Sequence, residues 1–142
     1  PAPVFVVGSH VDTVPNAGRY DGVLGVLLGI AAAKALRGRP FAKRLDVVAF
    51  SEEEGVRFRT PYLGSFAACG KLTPDLLART DAAGVTVADA IRAFGLNPDE
   101  VPTAAYPPGS VAGYLEAHIE QGPVLESLGL PLGVVPAILG QT

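Results

Sequence analysis

Two short β-branched runs on either side of a long, glycine-spaced apolar stretch restrict this chain more than any other feature. Val4-Phe5-Val6-Val7 is a continuous apolar run of the kind that forms a strand buried on both faces. Val23–Leu36 is rich in Ala and Leu and too long for a strand. It stops at Arg37-Gly38-Arg39-Pro40, so it reads as a helix. Its nearly unbroken apolar composition predicts burial on more than one face. Gly22, Gly25 and Gly29 recur at spacings of three and four, which would leave one side thin enough to pack closely on a sheet. Residues 45–50 then read as a second strand. Strand, helix and strand in this order form a βαβ unit, and its crossover makes the two strands parallel. The expected fold class is α/β, with a mostly parallel central sheet flanked by helices.

The remainder is less regular. Residues 51–61 read as a charged loop and residues 64–70 as a short helix. Residues 73–79 and 86–94 read as helices with Thr73 and Thr86 as N-caps. Residues 113–120 read as a strand, residues 122–128 as a helical turn, and residues 132–139 as extended. The 142 residues suffice for one ordinary domain. The net charge is -3 and the basic residues are scattered, unlike the basic stripe of a nucleic-acid binder. The longest uncharged apolar run, residues 23–33, is about half a bilayer crossing, so no membrane partner is expected. A single cysteine, Cys69, excludes an internal disulfide and fits a reducing, cytoplasmic setting. The chain has no methionine and opens on Pro1-Ala2-Pro3. It is expected to be an internal piece of a longer protein.

Four polar clusters fall at expected strand ends, where open α/β sheets place their sites. Gly8-Ser9-His10-Val11-Asp12 follows the first strand. A histidine with a carboxylate two residues on suits a metal ligand and the group that orients its ring. A loop histidine beside an Asx turn is the alternative. Arg19-Tyr20-Asp21-Gly22 precedes the long helix, where Asp21 suits an N-cap and also a carboxylate bridging two ions. Ser51-Glu52-Glu53-Glu54-Gly55 follows the second strand. Adjacent acids raise one another's pKa unless a cation neutralises them, although a solvated charged loop also fits. His118-Ile119-Glu120-Gln121-Gly122 ends the late strand and holds the second of only two histidines. A satisfied core histidine is its plainer reading. Nitrogen and oxygen donors without cysteine fit Zn, Mn, Co or Ni rather than a thiolate site. The glycines after the first strand do not follow the dinucleotide fingerprint, and no phosphate loop is present.

Together, residues 8–14, Tyr20-Asp21-Gly22, residues 51–58 and His118-Ile119-Glu120-Gln121-Gly122-Pro123-Val124-Leu125-Glu126 resemble the amidase/hydantoinase/carbamoylase branch of the M20 metallopeptidase-like family. That branch includes N-carbamoyl-L-amino-acid hydrolases, β-ureidopropionases and allantoate amidohydrolases. The resemblance runs through nearly the whole chain, and the late histidine stretch separates this branch from the peptidases. It implies a dinuclear-metal aminopeptidase-like catalytic domain, incomplete here. Residues 1–131 would be part of that domain, and residues 132–142 the start of a lid and dimerisation domain.

The resemblance implies roles by position. His10 and His118 would bind one divalent ion, Asp21 would bridge two, and Glu54 would bind the second. Glu53 would be the general base and Asp12 would orient His10. Gln121 would face the substrate, and Glu52 receives no role. The implied reaction is hydrolysis of a ureido or amide C–N bond in a small molecule, by a metal-bound hydroxide. The family's last histidine ligand lies downstream of Thr142, as does the dimer-forming domain. The 142-residue piece alone is therefore expected to bind metal weakly and to turn over negligibly, whereas the full-length protein would be a homodimer. An M20 aminoacylase or peptidase and a non-catalytic metal-binding remnant are the alternatives.

Overall fold

The computed structural model describes residues 3–137. Three strands, β1 (Val4–His10), β2 (Arg44–Phe50) and β3 (Val111–Leu115), form one parallel sheet in the order β2-β1-β3. Helix α1 (Val23–Leu36) makes the crossover from β1 to β2, so the expected βαβ unit is present. Four short helices follow: α2 (Leu63–Ala68), α3 (Pro74–Leu77), α4 (Val87–Ala93) and α5 (Val124–Leu128). A 3-10 segment, Pro98–Ala104, lies between α4 and β3. Thr73 and Thr86 cap α3 and α4, each accepting a backbone N–H from the first turn.

Register decides where the chemistry lies. β1 pairs with β2 from Val4↔Arg44 to His10↔Phe50, so both strands end at one level. The Val11 N–H continues the ladder to the Phe50 carbonyl at 2.8 Å. The loop after each strand therefore leaves the sheet at the same edge. Two sets of buried apolar residues support this frame. Val4 and Val6 of β1 and Val26 of α1 are buried, the two β1 valines on the face opposite Val7, which packs against α1. Phe58, Leu63 and Val87 form the second cluster, with Leu72, Leu76, Leu77, Ala90 and Ile91 packed against them.

Two expectations are corrected. First, α1 is buried on one face only, by Gly25, Val26 and Gly29, while Leu27, Leu28 and Ile30 are exposed. The glycine stripe is the face on the sheet, with Val7 and Val47 against Gly29. Second, β3 ends at Leu115 rather than continuing to residue 120, because the chain leaves the ladder to bring Glu116 under Ser9 and His118 beside His10. Residues 132–137, part of the segment expected to be extended, carry no helix and no strand pairing; residues 138 and 139 lie outside the described residues. Among the described residues no helix is long and apolar enough to cross a membrane.

Candidate metal centre

His10 is the last residue of β1 and is 6% exposed, so its ring is fixed by the sheet rather than by a loose loop. Gly22 makes room for it. A Cβ at Gly22 would run into the His10 ring, and the φ of +66° there disfavours any side chain. Asp21, one residue earlier, is 2% exposed. It does not cap α1 through its side chain; Gly22 occupies the cap position. Its carboxylate instead accepts from Thr13 Oγ1 at 2.8 Å and from Gln121 Nε2 at 2.8 Å. Thr13 carried no independent signal in the sequence beyond its place after Asp12.

His118 arrives from the segment after β3. Its ring stacks beside that of His10, with centroids 5.2 Å apart and planes at 26°. The two Nε2 atoms are 2.9 Å apart. Asp21 Oδ1 lies 3.5 Å from His118 Nε2 and 4.0 Å from His10 Nε2. Among the described residues, His10, Asp21 and His118 form the group whose ligand atoms all lie within 4.8 Å of one another.

Tautomers make this convergence informative. His10 Nδ1 is 2.6 Å from the Asp12 carbonyl oxygen, and His118 Nδ1 is 2.8 Å from the Ile119 carbonyl oxygen. A carbonyl only accepts, so both Nδ1 atoms carry the proton. With neutral rings, both Nε2 atoms then present lone pairs, to each other and to a buried carboxylate. Three acceptors facing one point repel unless a cation lies between them. Tetrahedral ligands about 2.0–2.1 Å from Zn stand about 3.3 Å apart, so the two rings need separate by only a few tenths of an ångström. The donor set fits a divalent ion.

The acidic loop lies beside this group. Glu54 Oε1 is 3.9 Å from His10 Nε2 and accepts from Gln121 Nε2 at 3.4 Å. The loop is held from two sides. The backbone N–H groups of Tyr62, Leu63 and Gly64, at the start of α2, donate to the carbonyls of Glu53, Glu52 and Ser51. From the other side, the Asp12 carboxylate accepts the backbone N–H of Glu53 at 3.1 Å and of Glu54 at 3.0 Å. Asp12 was expected to orient His10 with its carboxylate. That carboxylate stands 3.8 Å from the ring, and the Asp12 backbone carbonyl makes the ring contact instead. The side chain of Asp12 positions the glutamates.

Glu53 Oε2 accepts from Ser65 Oγ at 3.0 Å and from the Ser65 backbone N–H at 3.3 Å. Burial pushes the Glu53 carboxyl above its usual range; the Ser65 bonds oppose this, the Asp12 charge adds to it, and His10 opposes it. Burial also raises Glu52, with the Asp12 charge adding to the effect and Arg57 opposing it. Ser65 had no signature in the sequence, since an isolated serine in an apolar helix points to nothing. Glu120, two residues from His118, does not touch it. Its carboxylate accepts the Val124 and Leu125 N–H groups and caps α5. The residues beneath His118 are tied by Ser9, whose hydroxyl donates to Glu116 at 2.7 Å, and by Tyr114, whose hydroxyl donates to the other Glu116 oxygen at 2.7 Å. Burial, then the bond to Glu116, drives the Tyr114 hydroxyl far above its usual pKa, so it stays a donor.

A family model described as peptidase family M20/M25/M40 matches residues 6–135, a span holding every residue of the centre described above. The chain belongs to the M20 family. Within M20 it lies in the hydantoinase/carbamoylase amidase branch. It is 47% identical over 141 residues to the N-carbamoyl-L-amino acid amidohydrolase of Geobacillus stearothermophilus, covering 98% of this chain and 34% of that protein. It is 47% identical over 144 residues to the allantoate deiminase of Arabidopsis thaliana, covering 97% of this chain and 27% of that protein. A hydantoinase/carbamoylase family amidase from Burkholderia ambifaria superposes with a TM-score of 0.76 at 44% identity, over 90% of this chain and 31% of that one. The chain thus spans about a third of the length of these M20 relatives. The α/β class and the parallel sheet agree with this portion of an M20 catalytic domain.

Proposed function

We propose that the protein hydrolyses a ureido or amide C–N bond in an N-carbamoyl amino acid or a related ureido compound. In this reading His10, Asp21 and His118 hold one divalent ion, and Asp21 and Glu54 contribute to a second. The carrying observation is the convergence of the two Nε2 lone pairs on Asp21, in a chain this similar to an N-carbamoyl-L-amino acid amidohydrolase. Zn, Mn, Co and Ni all suit such donors. A bound ion supplies Lewis acidity toward the substrate carbonyl and makes a neighbouring water more acidic. Glu53 is the general base. Ser65 fixes its Oε2, leaving Oε1 to take a proton from the attacking water and pass it to the departing nitrogen. Burial pushes its carboxyl above the usual range, the direction that favours both accepting and returning that proton. Contacts that choose the substrate, the remaining ligand of the second ion and the dimer contacts are assigned to parts of the protein beyond residue 131.

Glu53→Gln tests the assignment. In the full-length protein the variant should keep its bound metal, read by elemental analysis, while turnover of N-carbamoyl-L-amino acids and allantoate falls at least about 100-fold. Undiminished turnover would remove Glu53 from the mechanism. A panel including N-acyl amino acids and dipeptides separates the amidase from an aminoacylase or peptidase, since only the latter two would cleave those substrates preferentially.

A further inference from the structure

Gln121 occupies an unexpected place. Its side-chain Nε2 donates to Asp21 Oδ1 at 2.8 Å and reaches Glu54 Oε1 at 3.4 Å. These are the two carboxylates assigned to the second ion. An amide nitrogen carries two N–H donors, so it can satisfy both acids at once, as a small cation would. The backbone holds it there. Gln121 has a φ of +53°, a conformation that costs a non-glycine residue roughly 1 kcal/mol. The residue before it is anchored by the Glu120 cap on α5, and His118 anchors the chain three residues earlier. The side chain therefore projects from a fixed base onto the carboxylate pair.

We propose that Gln121 gates the second metal position. Its amide pairs the Asp21 and Glu54 carboxylates while that position is free of metal, and an ion held by the two acids must displace it. The gate rests on the assignment of those acids to a second ion. At the first position Gln121 touches one ligand of three, Asp21, and leaves His10 and His118 open, whereas at the second it holds both acids. The consequence is sequential loading. The His10–Asp21–His118 position fills first, and the second fills more weakly than its two carboxylates alone would allow. Once displaced, the amide is free to turn toward a substrate.

The test is calorimetric titration of Zn²⁺ into the metal-free full-length protein, with Gln121→Ala and Gln121→Asn beside it. Asparagine keeps the amide and the fold but is too short to bridge both acids. Two binding steps are expected in the parent protein. Each variant should tighten the weaker step about tenfold and change the tighter step by less, and the persistence of that step also shows that the site remains folded. A weaker step that is unchanged or loosened in both variants overturns the gate alone, since loosening is the mark of a supporting ligand. A parent protein that binds no Zn²⁺ overturns both the gate and the metal assignment beneath it.

Discussion

Asp12 shows how sequence spacing can point to one contact and the fold supply another. A carboxylate two residues after a histidine suggests ring orientation, but here the backbone carbonyl does that work. The carboxylate is spent on the Glu53 and Glu54 amides. Sequence spacing cannot distinguish the two, because both put Asp12 within one turn of His10, and the partner loop lies 41 residues away. Asp12→Asn should therefore behave in an unusual way. Asparagine is nearly the same size, yet its NH₂ would face an N–H of Glu53 or Glu54. Hydrogen bonds to charged groups contribute roughly 1.5–3 kcal/mol, so losing one and introducing a donor–donor contact should lower the thermal midpoint. Metal at the His10 position should be retained, since the Asp12 carbonyl is unchanged. Loss of that metal with normal stability would return the carboxylate to the role of orienting the ring.

At the level of elements, the βαβ unit was legible because its signals are local: continuous apolar strands, a glycine-spaced helix and a Gly-Pro stop. The length of β3 was not. Alternation in residues 113–120 resembles a strand, but the pull of Ser9 on Glu116 and of the metal group on His118 takes those residues out of the ladder. The outer face of α1 was misjudged because apolar composition does not say which side a helix buries; the glycines did. Gly25 is the tightest point of that face. A Cβ there would meet the Ala117 carbonyl oxygen and the Ser9 side chain, and Ala117 leads directly into His118. Gly25→Ala should cost about 1–3 kcal/mol through overpacking, measured by urea denaturation, and should weaken metal binding as α1 moves off residue 117. Thr86→Ala provides the contrast. It removes the N-cap of α4, costs about 1 kcal/mol, and should leave metal affinity unaltered because α4 packs in the other apolar cluster.

Across the whole molecule, acid stability is carried away from the metal centre. Asp81 accepts the backbone N–H groups of Val85 and Ala83 and the Arg57 side chain, which hold its carboxyl below the usual range. A depressed carboxyl stabilises the fold above its unfolded pKa of about 3.9, and that contribution is lost as the pH falls through the lower folded value. Asp81→Asn should thus lower the urea midpoint at pH 6 and leave a smaller further decline between pH 4 and 3 than the parent shows. Equal declines in both proteins would exclude Asp81 as a source of acid sensitivity. The two histidines carry a consequence of a different kind. They are 108 residues apart in the chain, and their rings stack. An ion between them would be a reversible clasp closing a loop of most of the chain, the topological counterpart of a very long-range cross-link. The entropy lost on closing a loop rises only slowly with its length, by about 0.6 kcal/mol per doubling. A single ion would therefore restrict most of the unfolded chain, and its departure would lift that restriction in one step.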